Sequence, residues 1–257
     1  MRPFLQSYLF GNYTTILCVL FFPDVWSYYR TDARETQAFV KTDREDKTMK
    51  LAVVCANGKA GKLIVKEAVD RGLDVTAVVR EENQTAAQKV LKKDLFDLTA
   101  ADLKPFDAVI DAFGAWTEDT LPQHSTSLKH LCDILSGTNI RLLVVGGAGS
   151  LYVNPEHTVC VADGPDFPDI FKPLAAAMAK ALSELRKRAD VKWTYISPAG
   201  DFRADGERTG KYILGGEELT LNSKGESVIS YADYAIAMVD ETVKGCNIQK
   251  RISVVAD

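Results

Sequence analysis

Between the apolar run Leu51-Ala52-Val53-Val54 and a stretch whose apolar residues recur at helical spacing stand Cys55-Ala56-Asn57-Gly58-Lys59-Ala60-Gly61. A glycine-bearing turn from strand to helix aims unpaired backbone N–H groups outward, and such groups can hold a pyrophosphate. Gly58 would let the phosphate approach the main chain, and Gly61 would let helix and strand pack closely. The first glycine of the usual fingerprint is missing: Ala56 or Cys55 occupies its place, depending on the spacing read. Arg80 lies 22 positions after Gly58, where an acidic residue would bind the ribose 2′-hydroxyl of NAD. An arginine suits a 2′-phosphate, which favours NADP(H). Glu81 and Glu82 follow directly and keep NAD(H) as the alternative.

Other chemistries find little to work with. Lys and Arg total 31 against 35 Asp and Glu, a net charge of −4, without the basic excess that nucleic-acid binding requires. Five scattered cysteines, Cys18, Cys55, Cys132, Cys160 and Cys246, form no Cys-x-x-Cys pair, and the odd number fits a reducing cytoplasm. His124, His130 and His157 lack zinc-ligand spacing, so no metal is expected.

The elements that must position the glycine turn follow from periodicity. Short apolar runs at 51–55, 75–79, 90–91, 108–112, 142–145 and 191–196 read as strands covered on both faces. Helices alternate with them: Lys59 to Arg71, closed by Gly72; Ser125 to Leu135; and Pro173 to Arg188, with basic residues at the negative end of its dipole. Right-handed crossovers turn this order into an α/β, doubly wound, mostly parallel sheet with helices on both faces. From Gly210 to Ser227, strand-like pieces broken by glycine pairs read as hairpins outside that sheet. A capped helix from Ser230 through Val243 and a last strand, 252–255, complete a small C-terminal hairpin and helix region for substrate.

Residues 1–48 have a different texture: an aromatic-rich apolar stretch around Ile16 to Phe22, then the charged run Arg44-Glu45-Asp46-Lys47. The stretch is far short of the roughly 20 residues that span a bilayer. Met49-Lys50-Leu51 leads straight into the first strand as a bacterial start would, so 1–48 reads as translated leader and 49–257 as the working domain. The alternative is a native arm, disordered or covering a surface or dimer contact. The leader reading requires codons 44–46 to carry a purine-rich ribosome-binding run, which the gene sequence checks.

The chain resembles the atypical short-chain dehydrogenase/reductase group, specifically its NmrA-like and NADH-flavin-reductase-like NAD(P)H-binding members. The resemblance spans Met49 to Asp257. It rests on the glycine turn, on Asp111-Ala112-Phe113-Gly114, on Val144-Val145-Gly146-Gly147-Ala148-Gly149-Ser150-Leu151 and on Tyr195-Ile196-Ser197-Pro198-Ala199-Gly200. It implies a Rossmann-type domain. It also implies that Asp94 and Leu95 flank the adenine, Ala112, Phe113 and Gly114 the adenosine ribose and pyrophosphate, and Gly146 and Gly147 the nicotinamide. Ser197, Pro198, Ala199 and Gly200 would close over the nicotinamide ring, with Lys180 near its ribose.

One departure shapes the expected reaction. Relatives that reduce ketones use a Tyr-x-x-x-Lys pair, and none exists in this chain; the residue four before Lys180 is Ala176. Hydride transfer to a flavin or quinone asks less of the protein, because the acceptor ring delocalises the charge and takes its proton from water. The reading is therefore an NAD(P)H-dependent oxidoreductase acting on a planar small-molecule acceptor, with flavin as substrate and not as prosthetic group. Phe113, Trp116, Tyr152 and Phe202 are candidate stacking rings. Ser150 and Tyr152 are the candidate proton donors, His157 reads as a surface-loop residue, and Asp201 with Arg203 would form an ion pair or grip a substrate. The alternatives are a non-catalytic NADP(H)-sensing regulator and, further off, a sugar-nucleotide epimerase or dehydratase. Monomer and homodimer both fit, and no membrane or nucleic-acid partner is expected.

Overall fold

A computed structural model describes residues 48–257; the expectations about the leader and about Cys18 lie outside the described residues. Along the chain run β1 (Lys50–Val54), α1 (Lys59–Asp70), β2 (Asp74–Val79), β3 (Lys89–Lys92), α2 (Ala100–Leu103), β4 (Ala108–Asp111), α3 (Gln123–Leu135) and β5 (Arg141–Val145). There follow α4 (Lys172–Leu185), β6 (Lys192–Ser197), β7 (Asp201–Arg203), β8 (Tyr212–Gly215), β9 (Val228–Ser230), α5 (Tyr231–Lys244) and β10 (Lys250–Ala256).

Eight strands form one sheet in the order β3-β2-β1-β4-β5-β6-β10-β8, all parallel except the antiparallel edge strand β8. The order 3-2-1-4-5-6 is that of the doubly wound dinucleotide-binding fold, so the sheet is the expected one. Alternation within each strand explains why both faces are covered. Leu51 and Val53 of β1 join Ile64, Val65 and Ala68 of α1 and Tyr234 and Met238 of α5 in one apolar core. Ala52 and Val54 face the other way, toward Leu128 and Leu131 of α3 and Leu182 and Leu185 of α4. Each face removes its own set of large side chains from water, so the central strands β1, β4 and β5 read as apolar runs.

The C-terminal region departs from expectation. The segment Tyr212–Gly215 is no hairpin outside the sheet; it pairs with β10 through Ser253↔Gly215 to Ala256↔Tyr212 and caps the sheet's edge. A separate two-stranded piece joins β7 to β9 in parallel. Neither pairing is local, which is why glycine punctuation alone could not assign them.

The entry to α1 is sterically exacting. A Cβ built on Gly61 would lie 2.8 Å from the Ala56 carbonyl oxygen and 2.9 Å from that of Cys55, both backbone atoms that cannot turn aside. Gly61→Ala should therefore destabilise the fold by about 1–3 kcal/mol despite alanine's better helix propensity, read as a lower urea midpoint at unchanged slope.

Candidate functional site

The connections that leave β1, β2, β3, β4, β5 and β6 all emerge at the sheet's carboxyl edge. The registers Val54↔Asp111 and Asp111↔Val144 bring the ends of β1, β4 and β5 side by side. Strand order reverses between β1 and β4, which makes this the switch-point crevice where open α/β sheets take ligands.

Cys55, where a glycine is usual, holds the left-handed conformation at φ 57°. That residue turns the chain so that Gly58 N–H donates to the Cys55 carbonyl at 3.0 Å. Burial pushes the Cys55 thiol up to about 12, so it is a packing group and not a nucleophile. Gly58 is the N-cap of α1 and offers no side-chain cap, and the helix's first turn holds no acidic residue. The opening amides therefore point into the crevice beside the positive end of the helix dipole. A Cβ on Gly58 would stand 3.3 Å from the Cys55 oxygen and 3.9 Å from the Ala112 oxygen, so glycine keeps the gap between β1 and β4 open. This cradle fits a pyrophosphate. Lys59 is exposed, Ala60 half-buried and Ala56 fully buried, so Ala56 can contribute only backbone.

Asn57 does something its spacing did not disclose. Its Nδ2 donates to the Glu82 carbonyl at 2.8 Å and its Oδ1 accepts from Gln84 N–H at 2.9 Å. Lys62 Nζ reaches Gln84 Oε1 at 2.8 Å. These bonds tie the loop after β2 onto the glycine turn and hold Arg80 beside the helix start. The Arg80 side chain is 76% exposed, with Asp94 Oδ2 3.7 Å from its Nε. Asp94 itself caps the short turn after β3 through Phe96 N–H, whereas Leu95 is buried in the core.

At the end of β5 the glycines answer to the protein's own packing. A Cβ on Gly146 would enter the Tyr195 ring at 2.3 Å, one on Gly147 would meet Met178 Sδ at 2.8 Å, and one on Gly149 the Ala175 methyl at 2.7 Å. Gly147 N–H donates to the Tyr195 hydroxyl at 3.2 Å. Ser197 and Ala199 are buried, so the loop after β6 presents backbone and Gly200 to the crevice. Lys180 is exposed on α4, on the same side as Ala176.

The two candidate proton donors are tied to one arginine. Ser150 Oγ accepts from Arg251 Nη1 at 3.0 Å, and its carbonyl accepts from the same nitrogen at 2.8 Å. Tyr152 stacks on His157 at 4.5 Å between ring centroids, with the Arg251 guanidinium 5.5 Å over its face. Arg251 is itself buried and paired with Glu217 at 2.6 Å. His157 is exposed and bonds Glu218 at 2.5 Å. Phe202 packs on Tyr231 and Tyr234, and Phe113 stands edge-on to His124, which leaves Trp116, 69% exposed, as the open ring among the four. Asp201 and Arg203 pair at 2.6 Å, both exposed, an interaction of small energetic worth. Among the described residues no group of His, Cys, Asp or Glu gathers as metal ligands.

Asp111, quoted in the sequence only as part of a motif, is the buried acid of the site. It accepts from Phe113 N–H at 3.0 Å and so shapes the turn through Ala112 and Gly114. With His124, Ser127, Met178 and Tyr195 it lines a cavity of about 20 Å³. The signal available was an acid closing an otherwise apolar strand.

A family model described as NAD(P)H-binding matches residues 55–242. The uncharacterized protein YwnB of Bacillus subtilis (strain 168) is 44% identical over 212 residues, 81% of this chain and 99% of that protein. Among solved structures, a candidate NADH-flavin reductase from Streptococcus pneumoniae TIGR4 is 58% identical with a TM-score of 0.80, covering 81% of this chain and all of that one, 100%. A candidate epimerase from Bacteroides thetaiotaomicron is 34% identical with a TM-score of 0.72, covering 82% and 98% of the two chains.

Burial raises the Asp111 carboxyl from its ordinary 3.8 to about 6. The folded state thus binds this proton more tightly than the unfolded state. The stabilisation is complete below about pH 4 and is lost as pH rises through about 6, a change on the order of 3 kcal/mol. Urea unfolding between pH 4.5 and 7.5 should show that slope in the parent protein relative to Asp111→Asn, which lacks the titration.

Proposed function

The chain belongs to the NAD(P)H-binding oxidoreductase family that takes in the NmrA-like and NADH-flavin-reductase-like proteins, and from that premise we propose that it is an NADPH-dependent reductase of a planar flavin- or quinone-like acceptor. The observation that carries the reading is the open cradle at the start of α1, with uncapped amides, Gly58 and an outward Arg80 on one rim. The working unit proposed is residues 49–257, in a reducing compartment; the four described cysteines are free thiols.

The amides that open α1 would hold the pyrophosphate, and the Arg80 guanidinium would pair with a 2′-phosphate. Asn57 and Lys62 act by pinning the loop that carries Arg80. The Ala112–Gly114 turn, shaped by Asp111, would border the ribose. Gly146, Gly147 and the backbone of Ser197 to Gly200 would bound the nicotinamide and exclude water there, with Lys180 on α4 nearby. When bound, the reduced nicotinamide supplies a hydride, two electrons and one proton, and the acceptor takes its second proton from water. The protein's part is orientation in an apolar setting.

A sensory role draws support from one observation. Arg251 donates to Ser150 Oγ and lies over the Tyr152 ring, which ties both side chains into the framework around that arginine. Turnover separates the readings: purified protein with NADPH and a panel of flavins and quinones should consume the nicotinamide absorbance, whereas tight binding with no consumption favours the sensor. By titration calorimetry, Arg80→Ala should weaken NADPH at least tenfold, roughly the loss of one charge-assisted contact, and NADH by less than threefold. Equal losses would remove the case for NADP(H).

A further inference from the structure

The two segments that rise over the acceptor side of the carboxyl edge are chemically one-sided. Residues 112–122, which leave β4, contain Glu118 and Asp119 and no lysine or arginine. Residues 146–171, which leave β5, contain Glu156, Asp163, Asp166 and Asp169, again with no lysine or arginine. All six are exposed. The first cation beyond them, Lys172, is taken by Asp169 at 2.6 Å. Arg203 and Arg208, in the stretch after β6, are held by Asp201 and Glu67 at 2.6 and 2.9 Å. The same two segments expose large apolar groups, Trp116, Val159, Ile170 and Phe171. Across the crevice, on the β1 and β2 side, stand Lys59, Lys62 and Arg80.

A second anion entering between these segments would approach exposed carboxylates on both, a repulsion that acts over about one Debye length, roughly 8 Å at physiological salt. An uncharged ring meets the same segments through Trp116 and Phe171 and bears no such penalty. We propose that the acceptor is an uncharged planar ring system, and that the acidic segments after β4 and β5 exclude phosphorylated flavins from the site. The proposal rests on the reductase reading above and names its substrate class.

Riboflavin and FMN carry the same isoalloxazine and differ by one phosphate, so they isolate the charge. Quenching of flavin fluorescence would be titrated against the protein saturated with NADP⁺, and turnover with NADPH measured in parallel with menadione as a second uncharged acceptor. At about 10 mM ionic strength, where the screening length is near 30 Å, riboflavin should bind at least tenfold tighter than FMN. At about 0.5 M the ratio should fall below threefold as screening shortens. The triple substitution Asp163→Asn, Asp166→Asn, Asp169→Asn should tighten FMN at low salt and leave riboflavin within twofold. The salt series on the unsubstituted protein decides the matter if that variant folds poorly. FMN binding as tightly as riboflavin at low salt overturns the proposal and leaves the reductase reading standing. Absence of both binding and turnover with all three acceptors, while NADPH still binds, overturns the two together.

Discussion

The structure depends on how closely α1 can lie against the end of β1. Gly61 sits so near the carbonyls of Cys55 and Ala56 that no side chain fits between helix and strand. That proximity brings the start of the helix to the crevice between β1 and β4, where a Cβ on Gly58 would stand 3.9 Å from the Ala112 carbonyl oxygen. The chain reaches this geometry without the customary first glycine. Cys55 adopts φ 57° in its place, a conformation that costs an L-residue on the order of 1–2 kcal/mol. The strain is local, and the burial of α1 against α5 and the sheet offsets it. A non-glycine residue kept in this conformation at a ligand crevice is the kind of outlier that marks a functional turn.

The same edge is divided by charge, and different elements enforce the two halves. On the β2 side, Asn57 fixes the loop that carries Arg80. On the β5 side, the segment 146–171 is anchored by a buried cation: Arg251 on β10 grips Ser150 and Glu217 and lies over Tyr152. Tyr152 in turn pairs through its backbone with Glu217, just C-terminal to β8, its N–H donating to the Glu217 carbonyl. A long acidic connection is thereby held by an arginine it does not contain. Removing one partner of so buried a pair leaves the other charged and unsatisfied, which is why Arg251 belongs to the framework and not to a mobile rim.

Much of this was legible in the sequence where a rule is local. Strands β1, β4, β5 and β6 show as apolar runs because both of their faces are covered, and α1 shows because Gly72 ends it at φ 76°. The glycine turn was legible in context, between a strand and a helix. What failed to show is what depends on distant partners. Ser253 and Gly215 pair across the chain, so β8 looked like part of a detached hairpin. The contacts of Ser150 and Tyr152 with Arg251 were not legible, because nothing near them announces an arginine about a hundred residues on. Asp111 was visible as a letter in a motif, but its desolvation follows from α3 and α4 closing over it.

The missing tyrosine–lysine pair is not replaced by the tyrosine that packing places nearest the end of β5. A tyrosine that exchanges a proton with substrate near neutral pH needs its acidity increased. Tyr195 is moved the opposite way: burial pushes its hydroxyl up to about 12. That hydroxyl accepts from Gly147 N–H, and its ring fills the space under Gly146. It supports the strand end from below and does not reach over it. On α4, the face that would carry the pair offers Ala176 and Lys180, a methyl and a lone exposed amine. A substrate whose oxygen must be protonated as the hydride arrives would find no tuned acid from either element. A ring that spreads the added charge over several atoms removes that demand, and the chemistry then needs only two faces held in contact with water kept from between them.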